Sequence, residues 1–132
     1  MKIKTLVLDL DFDDLVTILA DFNVYGDYWC SFIDFNEKDY DEAKTLLQLR
    51  MDDDHICREH VWAEMLMNKK PLILSTYEDD ETHELTLTFD NVRLATAQLI
   101  AKGKISVDMQ DWDCSDCDMI VQQAVFGEVV YG

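Results

Sequence analysis

The chain has little positive charge. Its 11 Lys and Arg stand against 28 Asp and Glu among 132 residues, a formal net charge of −17. Nucleic acid and anionic membrane surfaces are both recognised through cationic side chains, so neither is an expected direct partner. Proline occurs once and glycine four times, which leaves no visible linker, and there is no internal repeat or low-complexity tract. The length is that of a single domain. Long apolar runs are also lacking. The first, Leu6-Val7-Leu8, meets Asp9, Asp11, Asp13 and Asp14 at once, unlike an export signal, and no run approaches the length of a membrane span. Four cysteines without such a signal are expected as reduced thiols in a cytoplasm rather than as a disulfide framework.

What the chain does have is a core. Hydrophobic residues make up 48%, with three Trp, five Tyr and six Phe, so the charge does not imply disorder. Repulsion at this net charge weakens the compact state, so the charge is expected to have a use. Its natural partner is a basic surface, and the commonest large one in a cell is a nucleic-acid-binding groove.

Patterning predicts an α+β fold, a small and mainly antiparallel sheet of about four strands covered by helices in one domain spanning 1–132. Residues 3–11 alternate as a first strand. Asp13-Asp14 open a helix from Leu15 to Phe22, with Leu15, Ile18, Leu19 and Phe22 at helical spacing. The aromatic and β-branched segment 28–35 reads as a second strand. Asn36 caps a helix over 37–50 whose stripe is Ala43, Leu46, Leu47 and Arg50. Asp52-Asp53-Asp54 cap another over 55–68. Segments 71–77 and 84–89 form a hairpin around a polar connector from Glu78 to His83, and Asp90 caps a helix over 91–102. The C-terminal stretch then joins an acidic apron (Asp108, Asp111, Asp113, Asp116, Asp118) to an apolar helix ending at Gly127. Carboxylates suit that end, where they cap free N–H groups and meet the positive pole.

Two widely separated stretches resemble a group of small bacteriophage and mobile-element proteins of gut bacteria. They are Gly26, Tyr28 and Trp29, and then the tail of Asp118, Gln122, Phe126, Gly127, Glu128, Val130, Tyr131 and Gly132. The acidic hairpin connector and the Asp90-Asn91 helix look similar too. The resemblance implies a mobile-element origin and a bacterial host cytoplasm. It brings no assigned catalytic residue.

The acids suggest the leading function: a nucleic-acid mimic occupying the basic groove of a host defence nuclease, either a CRISPR effector or a restriction enzyme. Duplex DNA carries a charge about every 1.7 Å of axis. Carboxylates displayed at comparable spacing compete for the same Lys and Arg. The expected partner-binding residues are Asp52, Asp53, Asp54 and Glu59; Glu78, Asp79, Asp80 and Glu81; and Asp108, Asp111, Asp113 and Asp116, with Asp39, Asp41 and Glu42 in support. For any single residue, a solvated face or a helix cap is the simpler account, but caps use only a few of 28 acids.

Other readings compete. One is a structural or interaction protein without inhibitory activity, a homodimer docking through its aromatics, although Trp29, Trp62, Trp112 and Tyr131 are first expected in the core or at its rim. Another starts from Lys4-Thr-Leu-Val-Leu-Asp9-Leu-Asp11, which resembles motif I of the haloacid-dehalogenase superfamily. That likeness implies Asp9 as nucleophile, Asp11 as acid-base, Mg²⁺ between them, and 72–76 as the second motif. Phe12-Asp13 stands where that motif has Gly-Thr. Cys57-X-X-His60 and Cys114-X-X-Cys117 together offer a zinc ligand set, against which Cys57 reads as a small core residue, and the apron offers oxygen ligands for calcium without the EF-hand glycine or terminal glutamate. A redox role for the Cys114/Cys117 pair is disfavoured, because surrounding carboxylates raise a thiol pKa. His55, His60 and His83 have no evident nucleophile beside them, and no phosphate-binding loop appears. The leading expectation is therefore a non-enzyme with no cofactor and no metal.

Overall fold

The computed structural model describes residues 9–132. Five α-helices and a three-stranded antiparallel sheet are built from them: α1 (Phe12–Tyr25), β1 (Phe32–Asp34), α2 (Glu37–Gln48), α3 (Arg58–Met67), β2 (Leu72–Glu78), β3 (Glu81–Leu87), α4 (Phe89–Ala101) and α5 (Cys114–Phe126). The strand order is β1-β2-β3. Most of the strand expected at 3–11 lies outside the described residues. Residues 9–11 lead directly into α1 instead of forming a strand. Asp11 is the N-cap of α1: its Oδ1 accepts from the Asp14 N–H at 2.9 Å, while Asp14 Oδ2 accepts from the Asp11 N–H at 2.9 Å. This reciprocal box satisfies two otherwise free donors and starts the helix earlier than its apolar stripe does.

The helices bury most of the stripes that their periodicity marks, but Leu46, expected on the stripe of α2, is exposed. Leu15, Ile18, Leu19 and Phe22 of α1 are buried, as are Ala43 and Leu47 of α2 and Val61, Trp62, Met65 and Leu66 of α3. Helix α1 packs on α3 and α5, α4 on α5, and α2 on α3. The central strand β2 contributes Leu72 and Leu74, and β3 contributes Leu87, to the same core. Helix α1 ends at Gly26, where an added Cβ would meet the Phe22 ring, so only glycine lets the chain turn back so closely.

Several boundaries differ from the pattern-based expectation. Only Phe32–Asp34 of the 28–35 segment is strand, because Gly26–Tyr28 form a 3₁₀ turn that sends Trp29 and Cys30 into the core. Arg50 lies beyond the end of α2, not on its buried stripe. It reaches Glu64 of α3, and its guanidinium lies 5.1 Å above the Phe12 ring. One cation therefore ties α1 to α3. Asp52–Asp54 do not cap α3. They lead into a separate 3₁₀ turn (Asp53–His55), Ile56 and Cys57 are extended, and α3 begins at Arg58. Thr88, not Asp90, caps α4, its Oγ1 accepting from the Asn91 N–H at 3.0 Å. The hairpin is tighter than expected, with Glu78 paired directly with Glu81 and only Asp79-Asp80 between them.

Candidate functional site

Eleven of the twelve acids expected at an interface fall into three places with different chemistry, and Glu59 stands apart from them. The apron before α5 is largely structural. Asp113 and Asp116 form a second reciprocal capping box, Asp113 Oδ1 taking the Asp116 N–H at 2.8 Å and Asp116 Oδ2 the Asp113 N–H at 3.1 Å. Asp108 Oδ1 accepts from the Gln110 N–H at 3.0 Å, and Asp111 Oδ2 accepts from the Ser106 hydroxyl at 3.1 Å. The Trp112 indole fastens the same loop through the Ser106 carbonyl at 2.8 Å. Asp113 and Asp116 hold free N–H groups at the start of α5 and Asp108 one in the preceding 3₁₀ turn, so the helix-cap account fits these three, whereas exposed Asp111 takes only a hydroxyl.

The second place follows α2. Asp52, Asp53 and Asp54 are all exposed, and Gln48 Nε2 at the end of α2 donates to Asp53 Oδ1 at 2.9 Å, placing the loop directly beyond the helix. Glu37, Asp41 and Glu42 are exposed along α2 itself. Glu37 to Gln48 spans about 16 Å at 1.5 Å per residue. Together with the loop, this stretch presents Glu37, Asp41, Glu42, Asp52, Asp53 and Asp54, offset by Lys38 and Lys44 on the same helix. On α2 alone three exposed acids over that length give about one charge per 5 Å before the lysines are counted, sparser than the roughly one per 3.4 Å of a single nucleic-acid strand. Glu59 does not join this display. It is half-buried, accepts from Asn23 Nδ2 at 3.2 Å and lies 3.6 Å from the Arg58 guanidinium.

The third place is the hairpin tip. Glu78, Asp79, Asp80 and Glu81 are exposed and consecutive. Asp79 and Asp80 both adopt the left-handed conformation (φ 54° and 64°), which a two-residue turn needs and which Asn-Gly supplies with little strain. The directly opposed Glu78 and Glu81 add like-charge repulsion. Only modest contacts offset this: Tyr77 OH reaches Asp80 Oδ1 at 3.3 Å, and His83 Nε2 lies 3.8 Å from Glu81 Oε2. The Tyr131 hydroxyl donates to Glu78 Oε2 at 3.0 Å, pinning the base of the tip to the C-terminal tail.

Asp118 belongs to none of these displays. It is 3% exposed and accepts three hydrogen bonds: from the Tyr28 hydroxyl at 2.6 Å, Trp29 Nε1 at 2.7 Å and Gln122 Nε2 at 2.9 Å. The other end of Gln122 clasps the tail, its Oε1 accepting from the N–H groups of Val130 at 2.9 Å and Tyr131 at 2.8 Å. Tyr131 stacks on Trp29 with ring centroids 5.8 Å apart, and Phe126 closes the aromatic group. The two distant stretches carrying the sequence resemblance, around Gly26 to Trp29 and from Asp118 to Tyr131, thus meet in one buried polar and aromatic clasp. Burial, with the Asp118 carboxylate next, pushes the Tyr28 phenol up to about 12.

The cysteine pairs serve separate helix starts. His60 Nδ1 accepts from the Cys57 N–H at 3.0 Å and its ring stacks on Phe12, whereas Cys117 is buried with its thiol 3.7 Å from Asp21 Oδ2. Cys57 is exposed rather than a core residue. Among the described residues, no three His, Cys, Asp or Glu side chains gather as a metal site. The expected zinc set and the calcium apron are therefore not assembled there. The Cys117 thiol is pushed well above its usual range, first by burial and then by Asp21. For the superfamily-like pair, Asp11 is engaged as a cap and β2, the expected second motif, lies in an antiparallel sheet.

Pattern reasoning missed a cleft of about 230 Å³ between the end of α1, β1 and the start of α3. Its walls include Phe22, Trp62, Phe32 and Ile33, with Asn23, Asp27, Ser31 and Arg58 at polar positions. The Arg58 guanidinium lies 5.5 Å over the Trp62 ring, and the buried Trp62 Nε1–H meets no acceptor among the described residues. Val24, Tyr25, Tyr28 and Phe32 are exposed in the same part of the chain, Phe32 by 60%. The available signal was that Val24 and Tyr25 fall off the buried stripe of α1 yet are apolar.

No helix among the described residues is long and apolar enough to cross a membrane. Compared with protein-family models, with curated proteins and with solved structures, the chain matches none.

Proposed function

We propose that the chain is a mobile-element inhibitor that presents carboxylates in place of nucleic-acid phosphates to the basic groove of a host defence nuclease, a CRISPR effector or a restriction enzyme, and performs no chemistry itself. The observation that carries this reading is the hairpin tip. Two aspartates held in left-handed backbone, between two directly opposed glutamates, cost conformational energy and electrostatic repulsion. Strain of this kind persists where the presented groups are used. The exposed acids of α2 and the 52–54 loop extend the display, at a lower density than one strand's phosphates. In the apron, Asp113 and Asp116 also serve as the cap of α5, so the tip and the 52–54 loop are the surfaces this reading favours.

Charge steering predicts fast association that falls steeply with salt. The test is capture from bacterial lysate at low salt, mass-spectrometric identification, and competition by duplex and single-stranded DNA. A nuclease that salt releases and DNA displaces is the expected result. Reversal of Asp52, Asp53 and Asp54 to Lys, or of Asp79 and Asp80 to Lys, should then weaken inhibition of that nuclease while leaving the circular dichroism spectrum unchanged. Full inhibition by both variants would overturn the reading.

A further inference from the structure

Charge alone attracts any basic surface, so an inhibitor that relies on it needs a second feature to select its target. The cleft beside β1 has the attributes of such a feature. It is concave and lined by Phe22, Trp62, Phe32 and Ile33. It adjoins β1, an edge strand whose outer side is unpaired among the described residues. Trp62, in one wall, is almost wholly buried, and among the described residues its indole N–H meets no acceptor. Phe32, exposed by 60%, leaves apolar surface open at the cleft.

What fills the cleft is narrowed by charge. A second copy of this chain would bring another −17 to a rim that already holds Asp27, with Asp34 exposed at the end of β1. Phosphate groups and anionic headgroups are repelled for the same reason. Among the described residues the one cation in the lining, Arg58, stacks over Trp62 and lies 3.6 Å from the Glu59 carboxylate, so its charge is largely compensated locally. We infer that this cleft is the docking socket for an extended segment of a basic partner protein, taking one apolar side chain between Phe32 and Trp62 while flanking Lys or Arg residues meet Asp27 and Asp34. Edge-strand addition supplies the main-chain pairing for such a segment and the cleft supplies selectivity. The occupant's basic character rests on the inhibitor reading above; the socket itself does not.

The test uses the full chain labelled with ¹⁵N and three capped pentapeptides: Lys-Lys-Phe-Lys-Lys, its Phe-to-Ala counterpart, and Glu-Glu-Phe-Glu-Glu. The phenylalanine peptide should shift the Trp62 indole N–H and the amides of residues 31–34, and bind about tenfold tighter than the alanine peptide. In Phe32→Ser that advantage should vanish while the alanine peptide binds as before. Asp27→Lys, at an exposed position of the lining, supplies a second variant if Phe32→Ser fails to fold, and should weaken both lysine peptides alike. Equal affinity of the two lysine peptides, preference for the glutamate peptide, or the same shifts arising from protein concentration alone would each overturn the inference. Nuclease inhibition separates the two proposals. Seating of the peptide without inhibition of any nuclease removes the function reading and leaves the socket. Inhibition lost on Asp52–Asp54 reversal but undiminished in Phe32→Ser, with no peptide preference, removes the socket alone.

Discussion

Replacing Asp118 by Ala should destabilise the fold by about 3 kcal/mol, because this carboxylate is the one acceptor shared by three side chains. Trp29 Nε1–H, on a residue only 5% exposed, is left buried without a partner at a cost of about 1–3 kcal/mol. The Tyr28 hydroxyl, on a half-exposed residue, turns to water, so its loss is nearer the net value of one bond, about 1 kcal/mol. Gln122 Nε2 retains the Tyr131 carbonyl at 3.2 Å and the Tyr28 oxygen at 3.1 Å, so it contributes least. Removing a buried negative charge from a chain of net −17 acts in the opposite direction and holds the total near 3 rather than 5. For a domain of this size that is a fall of about 10 °C in Tm. Asp118→Asn keeps an acceptor for Trp29 but sets its amide N–H₂ against that of Gln122, and should lose about half as much. Thermal and urea unfolding at moderate salt, where general repulsion is screened, measures both variants. An Asp118→Ala protein melting within about 2 °C of the parent would refute the account of the clasp.

Other expectations follow from the same geometry. Asp79→Asn with Asp80→Gly should raise stability by about 1 kcal/mol through a turn sequence suited to its backbone, while weakening any inhibition; a loss of stability in urea melts would show that the tip is not strained. In an ultraviolet alkaline titration, one tyrosine should ionise near 12, and Tyr28→Phe should remove it. Because that pKa is raised from 10.0 in the folded state, the stability linked to it is present below about 10 and lost as pH climbs through 12. Under native conditions exposed Cys57 should react with a thiol reagent far faster than buried Cys30 and Cys117, and mass spectrometry of partially labelled protein gives the order.

Elements specified by neighbouring residues were legible in the sequence. Helix α5 has its capping aspartate, its apolar stripe and a left-handed Gly127 (φ 78°) within fourteen residues or so, and it formed where those signals place it. Helix α3 did not start at its strongest local cap. Asp52–Asp54 offer that signal, but packing holds Ile56 and Cys57 extended, and tertiary contacts override a preference of about 1 kcal/mol. Asp118 was read with its acidic neighbours, although its spacing to Gln122 and Val121 sets it on the buried face of α5. Its partners Tyr28 and Trp29 are 90 and 89 residues away, beyond any local rule. The hairpin turn was read as a longer loop because Asp-Asp lacks the Asn-Gly signature that marks a two-residue connection.

Tyr131 touches both the buried clasp and the acidic tip, stacking on Trp29 while donating to Glu78. A charged loop free to wander loses that freedom whenever it docks, at about 1–2 kcal/mol for each backbone residue fixed. Here much of that ordering cost is met when the chain folds, through the tail that Gln122 holds in place. On the inhibitor reading the tip would therefore meet a basic surface already in one shape, and a groove whose cations do not fit that shape would gain little from its charge.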